Sequence, residues 1–259
     1  MIDSLYIGAT GMQAQQLHVD AIANNLANVN TTGFKKNRIS FEDAFYQAAG
    51  SVWGTTNQAP DAVILGMGTL VSANAKSFTQ GDPKATENPL DVAIRGNGFF
   101  EVVLSDGSSA YTRSGSFKVN ADGLLGTAQG YELKQQIQVP TDMTDIVIDT
   151  QGKVSVKTST SSDWSEVGQL ELAAFANPEA LQPLGEGLYL ASDKAGLPLV
   201  GRPGEDGLGS LAQGYLESSN VKLAEEMVNL VLAQRAYELN AKIIQASDEM
   251  LSISNNLRR

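Results

Sequence analysis

Few residues in this sequence could carry covalent or metal chemistry. There is no cysteine and one histidine, His18. That removes disulfides, thiolate nucleophiles, cysteine–zinc sites and iron–sulfur clusters. A Ser-His-Asp triad or a histidine-rich metal centre would have to use His18, which sits between Leu17 and Val19 in a segment of helical periodicity. No nucleophile or acid partner is apparent for it, and the pattern favours an interfacial or solvent-facing histidine. Arg95-Gly96-Asn97-Gly98-Phe99-Phe100 holds a Gly-x-Gly, but no helix follows to complete a phosphate cradle. Gly204-Glu205-Asp206-Gly207-Leu208-Gly209 carries two acids that would repel phosphate, and Asp106-Gly107 and Asp122-Gly123 lack calcium-loop spacing. Glu225 and Glu226 are adjacent and would point in different directions on a helix, where they complement its N-terminus. No carboxylate pair stands out as glycosidase-like. The expectation is a protein with no catalytic residue, no cofactor and no metal.

The elements around these residues are organised in three parts. The chain has 259 residues and a net charge of −11. All eight prolines lie between Pro60 and Pro203. Residues 1–40 carry a net charge of +1, residues 215–259 carry −1, and residues 41–214 carry −11. Two nearly neutral, proline-free ends therefore flank an acidic, turn-rich middle. The acidity argues against nucleic acid or an anionic membrane surface as partner. No run of 18 apolar residues exists, so no membrane insertion is expected. Met1-Ile2-Asp3-Ser4-Leu5 offers neither a basic leader nor an apolar run before a cleavage site, so no Sec signal is expected.

Both ends read as helices. Leu5, Met12, Val19 and Leu26 recur every seven residues, with Ile22 and Val29 three residues after the last two. Asn30-Thr31-Thr32-Gly33 supplies the stop. Leu223, Leu230, Tyr237, Ile244 and Leu251 repeat the spacing at the other end, and Met227 and Ala241 widen the stripe. A second set covers an adjacent face: Val228, Val231, Leu232, Leu239, Ile243, Ala246, Met250, Ile253 and Leu257. One seam cannot bury all of it; the helix either packs on its own domain or meets several neighbouring subunits. In the middle the period drops to two at Val92–Ile94, Phe99–Leu104, Ile146–Ile148 and Lys153–Val156, with hairpin turns at Asp106-Gly107, Asp122-Gly123 and Asp149–Gly152. The fold class expected is α+β, with the terminal helices forming a coiled-coil arm on a central mostly-β domain with an extended connector. The expected divisions are an N-terminal helix over 1–33, a connector over 34–81, a β domain over 82–200, a return linker over 201–217 and a C-terminal helix over 218–259.

Four blocks resemble a known family. Ala23-Asn24-Asn25-Leu26-Ala27-Asn28 followed by Thr32-Gly33-Phe34-Lys35 is similar to the N-terminal signature of bacterial flagellar basal-body rod and hook proteins. Asp91 through Phe100, with Gly96, Gly98, Phe99 and Phe100, and Tyr111-Thr112-Arg113-Ser114-Gly115-Ser116-Phe117 resemble their central motifs. Gln213 through Val221, Glu225-Glu226-Met227-Val228 and Gln234-Arg235-Ala236-Tyr237-Glu238 complete the set. The blocks span nearly the whole chain in the family's order, and they are most similar to the members that build the distal rod. Where the family commonly has an asparagine, this chain has Lys222, which cannot accept backbone N–H bonds at a helix start. Ser219 or Asn220 is expected to substitute as the cap, with the helix starting earlier.

The resemblance implies a structural subunit of the distal rod. It would polymerise helically into a rigid hollow drive shaft across the periplasm, the terminal helices forming an inner tube. Implied partners are other copies of the chain, proximal rod proteins, the hook protein, the P and L ring proteins, and the type III export apparatus with the rod cap. Residues 47–66, with Trp53 and Pro60, correspond to a segment linked in the family to rod straightness. Alternative readings are a proximal rod subunit, a helical-stalk adhesin and a cell-wall carbohydrate-active enzyme.

Overall fold

The structure is a computed structural model and describes residues 2–44, 46–48, 64–159 and 163–256. It is an α+β chain with a helix at each end and a mostly-β body between them. It divides into two compact units. One takes the described parts of Met1–Ala27, Asn37–Ala75 and Lys222–Arg259, and the other those of Asn28–Lys36 and Lys76–Val221.

The first unit contains helix α1 (Ile2–Ala27), strands β1 (Asn37–Asp43), β2 (Tyr46–Ala48), β3 (Ile64–Gly66) and β4 (Thr69–Lys76), and helix α2 (Leu223–Asn256). Strand β1 pairs with β4, and β2 with β3. The helices run antiparallel, with Gly8 against Ile244, Gly11 against Asn240 and Asn25 bonded to Glu226. A glycine inside a helix costs about 1 kcal/mol relative to alanine. These two are accounted for by the neighbouring helix. A Cβ on Gly8 would lie 2.8 Å from Ile244 Cγ1, and one on Gly11 2.8 Å from Asn240 Nδ2. The ring of Phe41 on β1 meets His18 edge-on, with centroids 5.6 Å apart.

Helix α2 does not start early. Its first turn is closed by the Glu226 N–H donating to the Lys222 carbonyl at 3.0 Å. Ser219 Oγ accepts from the Val221 N–H instead of capping the helix, and the Asn220 amide is committed to Lys36, Ser77 and Thr79. Neither side chain is available as the substitute cap.

In the second unit the earliest strands pair with the latest. Strand β5 (Pro83–Ala85) pairs with β20 (Tyr215–Glu217), and β6 (Val92–Arg95) with β19 (Ser210–Gln213). Residues 201–217, read from the sequence as a return linker, thus hold two paired strands. Among the described residues the largest sheet has seven antiparallel strands, in the order β16 (Gln182–Gly185), β17 (Leu188–Leu190), β8 (Ser109–Thr112), β7 (Phe100–Val103), β11 (Glu132–Leu133), β10 (Leu125–Thr127) and β9 (Phe117–Val119). Strands β12 (Met143–Ile148), β13 (Lys153–Thr158) and β14 (Trp164–Gln169) form a second sheet, and β15 (Leu172–Ala174) pairs with β18 (Leu199–Gly201).

Adjacent residues of a strand face opposite sides, and the pair Phe99-Phe100 uses this to join two cores. Phe100 packs with Phe117, Val102, Leu125 and Leu133 in the larger one, its ring 4.9 Å from that of Phe117. Phe99 enters an aromatic cluster with Phe78, Phe175 and Tyr189. Gly115 lets the chain pass close behind β6: its carbonyl accepts the Val92 N–H at 2.9 Å, and a Cβ there would fall 1.7 Å from the Val92 carbonyl oxygen. Because backbone cannot give way as a side chain can, Gly115→Ala is expected to destabilise the chain by about 3 kcal/mol. Urea denaturation followed by far-ultraviolet circular dichroism measures it.

Candidate functional site

With no catalytic constellation in the sequence, the residues that demand explanation are the buried charges. A buried ion is costly unless paired and hydrogen-bonded. In the second unit Lys35, Arg113 and Glu217 are 0%, 4% and 2% exposed. Glu217 ends β20, Lys35 lies in the extended segment 34–36 after α1, and Arg113 follows β8. Lys35 Nζ donates to Glu217 Oε1 at 2.6 Å and to the Thr79 carbonyl at 2.8 Å. Arg113 Nε lies 3.1 Å from Glu217 Oε2. The Gly81 N–H also donates to Glu217 Oε1 at 2.8 Å, so one carboxylate gathers partners from three chain segments, with Oε2 held by the Arg113 charge and by no hydrogen bond among the described residues.

Two cations share that single anion, and carbonyl dipoles supply the remaining compensation. Arg113 Nη1 donates to the carbonyls of Gly98 at 2.6 Å and Gly96 at 2.9 Å, and Nη2 also reaches the Gly96 carbonyl at 2.9 Å. The φ of +137° at Gly98 is a conformation that side chains disfavour. It turns this loop so that its carbonyls face the guanidinium. Burial pulls the Lys35 ammonium below the usual lysine range, opposed by the attraction of Glu217. Burial lowers Arg113 in the same way, again opposed by Glu217. Burial also pushes the nearby Tyr189 hydroxyl up to about 12, with Arg113 opposing the rise.

Backbone bonds reinforce the cluster. The Gly33 N–H donates to the Glu217 carbonyl at 2.8 Å. Asn220 accepts the Lys36 N–H at 2.8 Å and donates to the Ser77 carbonyl at 2.8 Å. Chain segments nearly two hundred residues apart in sequence thus lie side by side in this unit.

The first unit has a clasp of its own. Asn25, 2% exposed, donates to the Asn37 carbonyl at 3.0 Å and to Glu226 Oε2 at 3.1 Å, and its Oδ1 accepts the Asn37 N–H at 2.8 Å. A single amide therefore ties α1 to both β1 and α2.

The residues expected to build an inner tube occupy varied positions. Leu5, Met12, Val19 and Leu26 are half-buried on α1, Ile22 is buried, and Val29 is half-buried in the second unit. On α2, Leu230, Ile244 and Leu251 are half-buried, while Leu223, Met227 and Tyr237 are exposed. Of the motif residues, Asn24 is exposed, Asn28 is half-buried and Gly33 is buried. Phe34 lies under the Lys76 ammonium, 4.6 Å from it. Gln234 shares a groove of about 390 Å³ with Gln16, Val19, Tyr237 and Glu238, and Arg235 pairs with Glu238 at 2.9 Å. Trp53 and Pro60 lie outside the described residues. Sequence reasoning did not single out Lys35, Arg113 or Glu217 as a site. The available signal was a single charged residue inside each of three otherwise uncharged blocks, Thr32–Lys35, Tyr111–Phe117 and Gln213–Val221.

Among the described residues no group of three or more histidine or acidic side chains could hold a metal, and no helix is long and apolar enough to cross a membrane.

Three family profiles match the chain. They are described as flagella basal body rod protein, over residues 5–35; flagellar hook protein FlgE/F/G D1 domain, over residues 93–156; and flagellar basal body rod FlgEFG protein C-terminal, over residues 212–257. Each matched segment supplies one member of the buried cluster: Lys35, Arg113 and Glu217 in turn. Over its full length the chain is 47% identical to the whole flagellar basal-body rod protein FlgG of Borreliella burgdorferi. It is 44% identical to the same-named protein of Agrobacterium fabrum, over 98% of this chain and 99% of that one. Against that of Bacillus subtilis it is 38% identical over the whole of both chains.

Removing one partner of a buried ion pair leaves the other charge uncompensated, at a cost of about 3–5 kcal/mol. Lys35→Met and Glu217→Gln should each destabilise the chain by that order. Because they act on one network, the double variant should cost less than the sum. Equilibrium denaturation of the two single variants and the double variant tests both expectations.

Proposed function

The chain belongs to the flagellar basal-body rod protein family, and from that premise we propose that its subunits stack helically into the distal rod, the rigid hollow shaft that crosses the periplasm and carries torque from motor to hook. It is a structural component of the basal body, assembling there with its own copies and other flagellar components, and it is not an enzyme. The finer assignments are ours. Helices α1 and α2 act as a coiled-coil arm of an inner tube. Proximal rod and hook proteins meet the ends of the polymer, P and L ring proteins surround it, and the type III export apparatus and rod cap deliver and place its subunits.

The observation that carries this reading is the two-sidedness of α2. Positions 226, 230, 233, 237, 240, 244, 247 and 251 step by four and three, the spacing of a helix–helix seam, and contacts to α1 fall at Glu226, Asn240 and Ile244. Between about 180° and 260° around the helix from Glu226 lie Val228, Leu232, Leu239, Ile243, Met250 and Ile253, all exposed, Leu232 by 62%. A helix of 34 residues, about 51 Å long, that is apolar on opposite faces has one partner in its own chain and surface for another. Burying one such side chain contributes about 1.5–3 kcal/mol, and a helical polymer repeats that gain at every subunit.

Leu232→Asp and Ile243→Asp place a charge on the exposed face and leave the α1 seam untouched. Both should abolish polymerisation in sedimentation and electron microscopy, while monomer stability stays within about 0.5 kcal/mol of the parent. Polymers of normal length from both variants would remove this face from the assembly contact.

A further inference from the structure

The α1–α2 seam is not built for maximal stability. Three of the eight seam positions on α2 are polar: Glu226, Asn240 and Ser247, of which Glu226 is 4% and Ser247 2% exposed. Leucine at such positions would bury more apolar surface. A regular four-three repeat also carries an ambiguity, because sliding one helix by a heptad, about 10 Å, again lays apolar positions over apolar positions. Residues that single out one alignment remove the ambiguity at some cost in stability.

Two contacts in this seam distinguish the observed alignment from its neighbours. At one end the Glu226 carboxylate receives the Asn25 amide at 3.1 Å. Near its middle, Asn240 lies against Gly11, where a Cβ would stand 2.8 Å from Nδ2. A slip of one heptad in either direction separates Asn25 from Glu226. It also puts Asn240 opposite Ser4 or His18, and each of those has a Cβ in the space that Gly11 leaves open. Both penalties apply together, although neither contact adds apolar burial.

We infer that Glu226 with Asn25, and Asn240 with Gly11, are register keys that select one alignment of α1 on α2 at the expense of seam stability. The register decides which α1 residues stand level with which residues of α2. If the subunits stack as proposed above, it therefore decides which surface a neighbouring copy meets. That consequence rests on the assembly reading; the register selection itself does not.

The absence of cysteine from the natural sequence allows a direct test on the full chain. Gly8→Cys with Ile244→Cys puts thiols at facing positions of the observed alignment, and oxidation should give one intramolecular disulfide in high yield. Adding Glu226→Leu, which leaves both Asn25 bonds to Asn37 in place, should lower that yield several-fold while helicity and melting temperature stay equal or rise. Asn240→Leu should act in the same direction. Glu226→Gln retains an acceptor for the Asn25 amide and should restore the parental yield. Parental yield in the leucine variants would overturn the inference. So would loss of helicity, which would make these residues supports of the fold instead of selectors of alignment. Because the readout is intramolecular, it is independent of whether the aspartate variants of the exposed face polymerise.

Discussion

The carboxylate of Glu217 is the point on which the second unit depends. It is buried, and it is the one acid against two buried cations. An ion in that setting persists only where its donors arrive with good geometry, so its presence constrains everything that delivers them. Lys35 must come from the segment after α1, Arg113 from the end of β8, and the Gly81 N–H from the approach to β5. The glycines of the Arg95–Phe100 block acquire a purpose from the same requirement. Gly96 and Gly98 aim carbonyls at the guanidinium, a task that needs a backbone conformation and no particular side chain.

Periodicity made the local elements legible. The seven-residue recurrence from Leu5 to Leu26 and from Leu223 to Leu251 falls within α1 and α2, and the Asp-Gly pairs at 106–107 and 122–123 lie between β7 and β8 and between β9 and β10. The pairing of β6 with β19 was not legible, because period-two patterning identifies a strand without naming its partner, and this partner lies more than a hundred residues away. Residues 201–217 read as a linker for a related reason. Glycines and short apolar stretches look like loop until the edge they complete is known. The cap of α2 failed differently: Asn220 has the right chemistry for an N-cap but is consumed by contacts to Lys36, Ser77 and Thr79 that sequence proximity cannot reveal.

The helices show a division of labour between residue types. On α1 the small residues Gly8 and Gly11 set how closely α2 approaches, at a cost in helix propensity. The half-buried stripe of Leu5, Met12, Val19 and Leu26 provides general apolar cover. On α2 the contrast is between faces. One is mixed, with Glu226, Asn240 and Ser247 among its apolar neighbours, and the other is apolar and exposed. A mixed seam suits a contact that must be unique. A mainly apolar face suits one that is repeated and whose stability comes from area.

The way the chain enters and leaves the second unit bears on how that unit carries load. The chain crosses the edge of this unit four times, before Asn28, after Lys36, before Lys76 and after Val221, and the segments at these crossings lie together, joined by Gly33 to Glu217, Lys35 to Glu217, Lys36 to Asn220 and Ser77 to Lys36. Tension applied at these connections is therefore taken up where they meet, across a short bridge of backbone bonds and one buried ion pair. The sheets between β5 and β19 stand outside that force path, as the bowl of a spoon stands outside a grip on its handle. A subunit strained in this way would yield first at the bridge, so its mechanical limit is set by a few contacts near Glu217 and is largely independent of the bulk of its hydrophobic core.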